Sequence, residues 1–205
     1  MIAIVDYGVG NSGSILNMLK KVGAKAGLAA EPDIIRQADK LILPGVGSFD
    51  NGMTRLRETG LVPVLEEEVL RKGKPVVGIC LGMQMLGKSS EEGQVPGLGW
   101  LNFGCVRFRF TGEANNLKIP HMGWNEVAAN RPHSLLNGLE EPARFYFVHS
   151  YRATCENEAD IIGTTYYGGP FPSVVGRDNI VGVQFHPEKS HRFGIQLFKN
   201  FVERF

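Results

Sequence analysis

The stretch VVGICLGMQML, residues 76–86, joins a short apolar run to a cysteine flanked by glycines and then to a segment of helical character. This order predicts a buried strand that turns sharply into a helix, with Cys80 at the tip of the turn. Gly78 and Gly82 would relieve crowding there, because glycine has no side chain. The dipole of the following helix favours a thiolate at this place. The stretch therefore indicates a nucleophile elbow, with a small buried apolar residue at a strand end as the alternative.

Strand and helix patterns alternate around this stretch in the first half of the chain. Such alternation predicts parallel strands joined by right-handed crossovers, with helices on both faces of the sheet. Residues 56–71 have helical spacing that is interrupted near Gly60 and Pro63, and the helix after Cys80 should end around Gly87. The other elements predicted in this half are strands at residues 2–6, 40–44 and 74–80 and a helix at residues 11–22.

The second half of the chain is rich in predicted strands, which follow one another at hairpin-like intervals. At its end, aromatic and leucine residues recur every four positions from Phe193 to Phe205, which is typical of the core-facing side of a helix. The predicted fold is α/β, a mostly parallel central sheet with helices on both faces and a strand-rich second half, in one domain over residues 1–205. The strands predicted in this half are residues 105–110, 144–151, 160–167, 173–177 and 180–188.

Size and charge exclude several classes of protein. The 205 residues and 22.5 kDa suffice for one domain but leave no room for a second catalytic domain. Lys and Arg number 22 against 21 Asp and Glu, without a long run of either sign, so neither nucleic acid nor an anionic membrane is expected as a partner. A soluble, cytoplasmic protein is expected, because the sequence has no signal-peptide pattern and no apolar run that could span a bilayer.

The cysteines and most histidines predict no metal site. Cys80, Cys105 and Cys155 form neither a disulfide framework nor a Cys-x-x-Cys pair, so free thiols are expected. Four histidines share no metal-ligand spacing and are expected at the surface or in ordinary hydrogen bonds. These are His121, His133, His149 and His191.

The segment QFHPEKS, residues 184–190, offers a base for a nucleophilic thiol. Residues two apart on extended chain point to the same side, and Pro187 favours the extended form at His186. Glu188 can therefore reach one imidazole nitrogen of His186 while the other nitrogen faces a thiol. The alternative is a solvated turn with incidental charges.

The segment LPGVGSF, residues 43–49, follows the middle strand of the first half and could supply an oxyanion hole. The backbone N–H of Val46 or Gly47 would point at the developing charge, together with that of Leu81 just after the cysteine. A tight loop that needs positive φ, or a phosphate cradle, explains the same glycines.

The segment GVGNSG, residues 8–13, follows a predicted strand and matches the glycine spacing of a dinucleotide-binding turn. Glu31 even stands near the place of the acidic residue that binds the ribose in such domains. A nucleotide-binding module is therefore a second interpretation of the chain. It does not explain why a cysteine elbow and a His-Pro-Glu strand end occur together.

Three motifs together resemble the class I, triad-type glutamine amidotransferase family: Gly78 to Gly82, His186-Pro187-Glu188 and Pro44 to Gly47. The resemblance runs along essentially the whole chain and implies the flavodoxin-like fold of these glutaminases. Residues 6–14 and 120–127 are similar, more narrowly, to the glutaminase subunits of imidazole glycerol phosphate synthases. In that family GVGNSG is the N-terminal turn that faces the synthase partner, which makes the dinucleotide match fortuitous.

The resemblance also implies roles for individual residues. Cys80 would form the γ-glutamyl thioester, His186 would act as base and then as acid, and Glu188 would orient His186. The backbone of Gly47 and Leu81 would form the oxyanion hole, in a loop for which the family has an inactive, flipped peptide. Glutamine would be held by Gln84, His149, Ser150 and Tyr151, and the partner would meet Gly10, Asn11, Trp124 and Lys189.

The function that follows from the resemblance is hydrolysis of glutamine to glutamate and ammonia, without a cofactor or metal. The ammonia would pass to a separate cyclase subunit, a (β/α)₈ barrel, that forms imidazole glycerol phosphate and AICAR in histidine biosynthesis. Three alternatives stay open at this point: the glutaminase subunit of a chorismate-using synthase, a noncatalytic partner-binding subunit, and the nucleotide-binding module.

Overall fold

The structure is a computed structural model that describes all residues 1–205. The chain forms thirteen strands and six α-helices; strands and helices alternate up to Met85, and nine strands then follow before the final helix. None of the helices combines the length and the apolar character of a membrane span. The strands are β1 (Ile2–Val5), β2 (Ala26–Ala29), β3 (Lys40–Leu43), β4 (Val76–Ile79), β5 (Ser89–Ser90), β6 (Phe103–Arg107), β7 (His121–Glu126), β8 (Ala128–Ala129), β9 (Arg144–His149), β10 (Tyr151–Cys155), β11 (Ile161–Tyr166), β12 (Pro170–Arg177) and β13 (Ile180–Val183). The helices are α1 (Ser12–Lys21), α2 (Pro32–Gln37), α3 (Phe49–Glu58), α4 (Val62–Glu66), α5 (Leu81–Met85) and α6 (His191–Arg204).

Short helical turns complete the chain. A π-helical turn, Glu67–Arg71, continues α4. Turns of 3₁₀ helix lie at Gly112–Asn116, Ser134–Leu136, Glu158–Asp160 and Pro187–Lys189.

Eight strands form the central sheet in the order β2-β1-β3-β4-β13-β12-β11-β8. The strands from β2 to β13 are parallel, and β12, β11 and β8 extend the sheet in antiparallel fashion. The prediction of a mostly parallel sheet with a strand-rich second half is therefore confirmed. Because β4 lies between β3 and β13, the loops that follow these three strands meet at one edge of the sheet.

Helices cover both faces of this sheet, as predicted. Along β1, Ala3 and Val5 pack with α3 and α4, whereas Ile2 and Ile4 pack with α1 and α6. This division follows from the alternation of side chains along a strand. The final helix is confirmed, and three members of its stripe are buried: Phe193, Leu197 and Phe201.

Some elements differ from the sequence predictions. The strand predicted at residues 74–80, third in the predicted order, is the fourth strand, β4, because β2 was not predicted. β2 (AGLA) is a short edge strand without the branched apolar pattern of a buried strand. The predicted interruption near Gly60 is present, because residues 59–61 separate α3 from α4, but α3 begins earlier than predicted, at Phe49. The segment predicted as one strand at residues 144–151 is β9 followed by the start of β10.

Two small sheets lie beside the central one, in the orders β10-β6-β5 and β7-β9. The second is tied to the end of β13 by a bridge between Tyr146 and His186, in which the His186 N–H donates to the Tyr146 carbonyl at 2.8 Å. In the β7-β9 pair, Trp124 lies opposite Tyr146 and His121 lies opposite His149. This attachment brings β7 and β9 to the same edge as the three loops.

Candidate active site

The turn between β4 and α5 has the geometry of a nucleophile elbow. Cys80 has φ 54° and ψ −109°, a backbone conformation that residues with a side chain rarely adopt. A Cβ at Gly78 would lie 2.7 Å from the Gly82 carbonyl oxygen, and one at Gly82 would overlap the Leu43 carbonyl oxygen. The Cys80 N–H donates to the Val183 carbonyl at 2.8 Å. The two glycines thus allow the close packing that presents Cys80 at the edge of the sheet.

His186 and Glu188 form a buried pair beside this turn. The His186 Nδ1 lies 2.8 Å from Oε1 of Glu188, and the two side chains are 2% and 1% exposed. Because a carboxylate only accepts, Nδ1 carries the proton, and Nε2, which has no hydrogen-bond partner within the chain, is left for the thiol. Burial lowers the pKa of His186, but Cys80 and Glu188 together outweigh this and raise it to about 10. An imidazolium beside a thiol favours the nucleophilic thiolate.

Ser190 holds the segment after β13 in place. Its hydroxyl donates to the His186 carbonyl at 2.6 Å and accepts from the Tyr146 N–H at 3.0 Å. The Asn11 amide at the start of α1 approaches Glu188 from the other side, with Nδ2 3.5 Å from Oε1. The GVGNSG turn therefore lies directly against the acid of the pair.

The loop Pro44–Ser48 packs tightly between this turn and the elbow. The Tyr7 hydroxyl donates to the Pro44 carbonyl at 2.6 Å, and a Cβ at Gly10 would lie 3.0 Å from the Pro44 side chain. Gly47 has φ +95°, and its N–H makes no hydrogen bond within the chain. The Leu81 N–H is at the first position of α5, before the intrahelical hydrogen bonds begin. Two backbone donors are thus available near the thiol.

One cavity, about 430 Å³ in volume, lies where these parts meet. It is lined by nine of the thirteen residues that were predicted for catalysis, the oxyanion hole, glutamine binding and the interface. Glu188 lies behind His186 and does not line it, and Gly10, Asn11 and Trp124 are outside. Lys189, predicted at the partner interface, borders the cavity. The lining residues are Val46, Gly47, Cys80, Leu81, Gln84, Glu92, Pro120, Val148, His149, Ser150, Tyr151, His186 and Lys189.

The family model of class-I glutamine amidotransferases matches residues 3–205 of this chain. The chain belongs to the class-I glutamine amidotransferase family. Among its relatives, this chain is 57% identical to imidazole glycerol phosphate synthase subunit HisH 2 of Pseudomonas aeruginosa, with 99% of each chain covered. It is 52% identical to HisH 2 of Methanococcus maripaludis, with both chains fully covered, and 46% identical to HisH of Leptospira interrogans, with 98% and 99% covered.

Solved amidotransferase structures share the fold at low sequence identity. The PurLQS structure from Thermotoga maritima superposes with a TM-score of 0.75 at 17% identity, over 98% of this chain and 96% of that one. A glutamine amidotransferase from the same organism gives 0.63 at 18% identity, over 98% and 83%. These superpositions agree with the α/β fold predicted for this amidotransferase from its sequence.

Sequence reasoning missed Glu92, which lines the amidotransferase cavity, and two buried residues that lie near the cavity without lining it, Gln184 and His121. Glu92 follows β5 in a loop without a recognised motif, and it accepts from the Phe49 N–H at 2.8 Å. Gln184 is fully buried, and its Nε2 lies 3.9 Å from the Cys80 sulfur. Residues two apart on extended chain point to the same side, which is how His186 was paired with Glu188. The same rule places Gln184 on the side of His186, so the sequence did contain the information needed to predict its position. His121 was expected at the surface or in ordinary hydrogen bonds, and it is buried and hydrogen-bonded to His149.

The other two thiols of the amidotransferase chain lie away from the cavity. Cys105 and Cys155 are free, as predicted, and both lie on the β10-β6 pair. Burial raises the pKa of both thiols, to about 11 for Cys155. They therefore lack the activating surroundings that Cys80 has in His186 and Glu188.

Proposed function

We propose that this chain is the glutaminase subunit of an imidazole glycerol phosphate synthase, and that residues 1–205 act as one amidotransferase domain. The observation that carries the proposal is the strained Cys80 at the edge of a cavity that also contains His186, whose ring is held by Glu188. The full-length relatives with the HisH name support this choice of synthase.

The first half of the reaction transfers the glutamyl group to sulfur. The Cys80 thiolate attacks the side-chain amide carbon of glutamine, and the negative charge that develops on oxygen is met by the N–H groups of Gly47 and Leu81. As the C–N bond breaks, the His186 imidazolium gives its proton to the departing nitrogen, which leaves as ammonia. The products are a thioester on Cys80 and a neutral His186.

The second half of the reaction hydrolyses the thioester. His186 takes a proton from a water molecule as that water attacks the thioester carbon, and the C–S bond then breaks. The new carboxyl group releases the second proton of the water molecule to solvent, glutamate leaves, and the thiolate and imidazolium are restored. Glu188 keeps the ring of His186 oriented in both halves through the hydrogen bond to Nδ1.

Glutamine recognition is proposed to come from side chains around the cavity. Gln84, His149, Ser150 and Tyr151 would hold the substrate, as their place along the wall allows. Glu92 is a half-buried carboxylate on the same wall and would pair with the α-ammonium group of glutamine.

The proposed partner is a separate (β/α)₈-barrel cyclase that receives the ammonia in a heterodimer. On β7, Met122 is 61% exposed and Trp124 is 40% exposed, so this strand presents large apolar side chains to the outside. Exposed aromatic and methionine side chains are enriched at protein interfaces. We place the interface at Trp124 and Lys189 and at the N-terminal turn with Gly10 and Asn11. A cytoplasmic location fits the three free cysteines.

Ammonia release from glutamine tests the proposal. The purified chain is measured alone and with a histidine-pathway cyclase barrel that carries its nucleotide ligand. We expect a large partner-dependent increase that is lost in Cys80→Ala, while complex formation persists in that variant. Residual turnover near wild type in Cys80→Ala would refute the role of the thiol. No increase with the cyclase would refute the choice of synthase.

A chorismate-using synthase would share the same triad chemistry. It is not favoured, because relatives that are 46–57% identical over the full chain are named as imidazole glycerol phosphate synthase subunits. A nucleotide-binding module is not favoured either, because the GVGNSG turn packs on Pro44 and Glu188. Complex formation with the partner subunit of a chorismate-using synthase, in place of the cyclase, would reverse this preference.

A further inference from the structure

Two buried imidazole rings lie in contact behind the candidate active site. His121 on β7 and His149 at the end of β9 are cross-strand partners, 3% and 6% exposed, and the His121 Nδ1 is 2.9 Å from the His149 Nε2. His149 borders the cavity, whereas His121 does not. The side chain of the outer histidine therefore reaches the cavity through its hydrogen bond to the inner one, while its chain neighbour Pro120 lines the cavity directly.

The protons of this pair are assigned by their neighbours. The His149 Nδ1 is 2.7 Å from the Tyr151 carbonyl, which can only accept, so Nδ1 is protonated and Nε2 must accept from His121. Nε2 of His121 then accepts from the Asn125 amide at 3.1 Å. That amide also donates to the Tyr166 carbonyl at 3.0 Å, which uses both of its protons. All these bonds run in one direction, from Asn125 to the Tyr151 carbonyl.

Both rings are neutral at physiological pH. Burial lowers the pKa of His149 to about 3 and that of His121 to about 4. Each neutral ring has one donor and one acceptor nitrogen, and each nitrogen has a matching partner. Loss of the donor on His121 would leave the Nε2 of His149 buried without a partner.

The chain of hydrogen bonds continues to the nucleophile. The Tyr151 carbonyl also accepts from Nε2 of Gln84 at 3.4 Å, and the same nitrogen donates to Oε1 of Gln184 at 3.1 Å. Nε2 of Gln184 in turn lies 3.9 Å from the Cys80 sulfur. The carbonyl that His149 holds is thus shared with a side chain of the cavity wall.

We propose that His121 is a positioning residue for glutamine binding, and this inference rests on the proposed glutaminase function. Its Nδ1 proton binds Nε2 of His149 and fixes the orientation of that ring, and His149 in turn holds the Tyr151 carbonyl at the cavity wall. The side chain of His121 does not line the cavity and acts through its hydrogen bond to His149. The effect therefore falls on the binding of glutamine more than on bond breaking.

Two variants separate this role from simple packing. The ring of His121 stacks on Tyr167 at 4.0 Å and on Phe147 at 4.8 Å between centroids, so His121→Phe retains an aromatic ring but loses the donor. His121→Asn loses the ring, but its side-chain amide nitrogen takes the place of Nδ1 and can donate to His149. A packing role predicts that Asn is the worse replacement, and a positioning role predicts that Phe is.

The experiment measures KM and kcat for glutamine in the complex with the cyclase. We expect His121→Phe to raise KM about tenfold, since a buried acceptor loses its donor, with kcat within about twofold of wild type. His121→Asn should keep KM within about threefold. Equal KM values in all three proteins, or a larger effect in His121→Asn, would overturn the proposal.

The Nε2 resonance of His149 gives a readout that does not depend on turnover. Imidazole ¹⁵N–¹H correlation spectra should show the Nδ1–H form in all three proteins, because the Tyr151 carbonyl accepts that proton. The ¹⁵N shift of Nε2 should be that of a hydrogen-bonded nitrogen in the wild type and in His121→Asn, and that of a nitrogen without a donor in His121→Phe. An unchanged His149 signal in His121→Phe would overturn the proposal even if KM rises. Absence of glutamine hydrolysis by the wild-type complex would instead refute the proposed function, and the Nε2 resonance of His149 would still test the role of His121.

Discussion

Gly45→Ala should separate the oxyanion loop from the nucleophile elbow. A Cβ at Gly45 would lie 2.6 Å from the Gly82 nitrogen, 2.8 Å from the Leu81 Cβ and 3.0 Å from the Leu81 carbonyl carbon. Ordinary contact begins near 3.4 Å, so loop and elbow must move apart by roughly 0.8 Å. All three are backbone atoms of the elbow or the Cβ atom of Leu81. No flexible tip of a side chain can therefore move aside to relieve the contact.

The expected size of the effect follows from the proposed oxyanion hole. Its two donors, on Gly47 and Leu81, lie on the two sides of this contact, so separation misaligns one of them with the developing charge. Loss of one oxyanion donor costs about 10²- to 10³-fold in kcat, and a shift of about 1 Å costs about 10²-fold. We expect kcat to fall by about 10²- to 10³-fold, with KM changed by less than about fivefold.

The assay is partner-activated ammonia release, with alkylation of Cys80 by iodoacetamide as a second readout. Alkylation needs no oxyanion hole, so its rate in Gly45→Ala should stay within about threefold of wild type. Gly27→Ala in β2 is the matched control, because a Cβ there meets only the Met1 sulfur, at 4.0 Å. A kcat for Gly45→Ala within threefold of wild type, in a folded variant, would refute the proposed role of the loop. A parallel fall in alkylation would place the damage at the thiol.

Two further predictions concern the titrating groups. Glu188→Gln removes a charge that raises the pKa of His186. We expect kcat to fall by about 10²- to 10⁴-fold and the alkaline limb of the pH profile of kcat to move to lower pH. An alkaline limb at the wild-type pH would argue against the pairing of His186 with Glu188. His149, with its pKa lowered to about 3, binds fewer protons when folded than when unfolded, so stability should fall as pH drops below about 6.5, by up to about 1.4 kcal/mol per pH unit. Urea denaturation of wild type and His149→Gln at pH 7 and pH 5 checks this, and identical pH dependence would contradict it.

The parts of the molecule that follow from local pattern were predictable. The run at residues 76–79 is apolar throughout and is buried at every position, and the glycines around Cys80 signal the turn that follows. His186 and Glu188 were paired by spacing along extended chain, which needs no knowledge of the rest of the fold. Such inferences depend on neighbours in the sequence, and the sequence displays those directly.

The parts that depend on long-range contact were not predictable. Glu92 enters the cavity because its carboxylate accepts from the Phe49 N–H, 43 residues away in the chain. The contact between His121 and His149 depends on the antiparallel register of β7 and β9, and β7 was not predicted as a strand. The edge strand β2 has no apolar alternation that would mark it as a strand, and it is recognised only by its pairing with β1. In each case the deciding partner is remote in sequence.

The sheet order explains why these remote partners meet at Cys80. β4 lies between β3 and β13, so the loop with Gly47 and the segment with His186 flank the elbow from opposite sides. β9 is then held against His186 by the Tyr146 bridge, which carries β7 and its exposed Trp124 to the same edge. A protein bound on β7 would therefore contact the strand that contains His121. His121 is one hydrogen bond away from His149, which lines the cavity. The path from the proposed interface to the glutamine site is short because one sheet edge holds both.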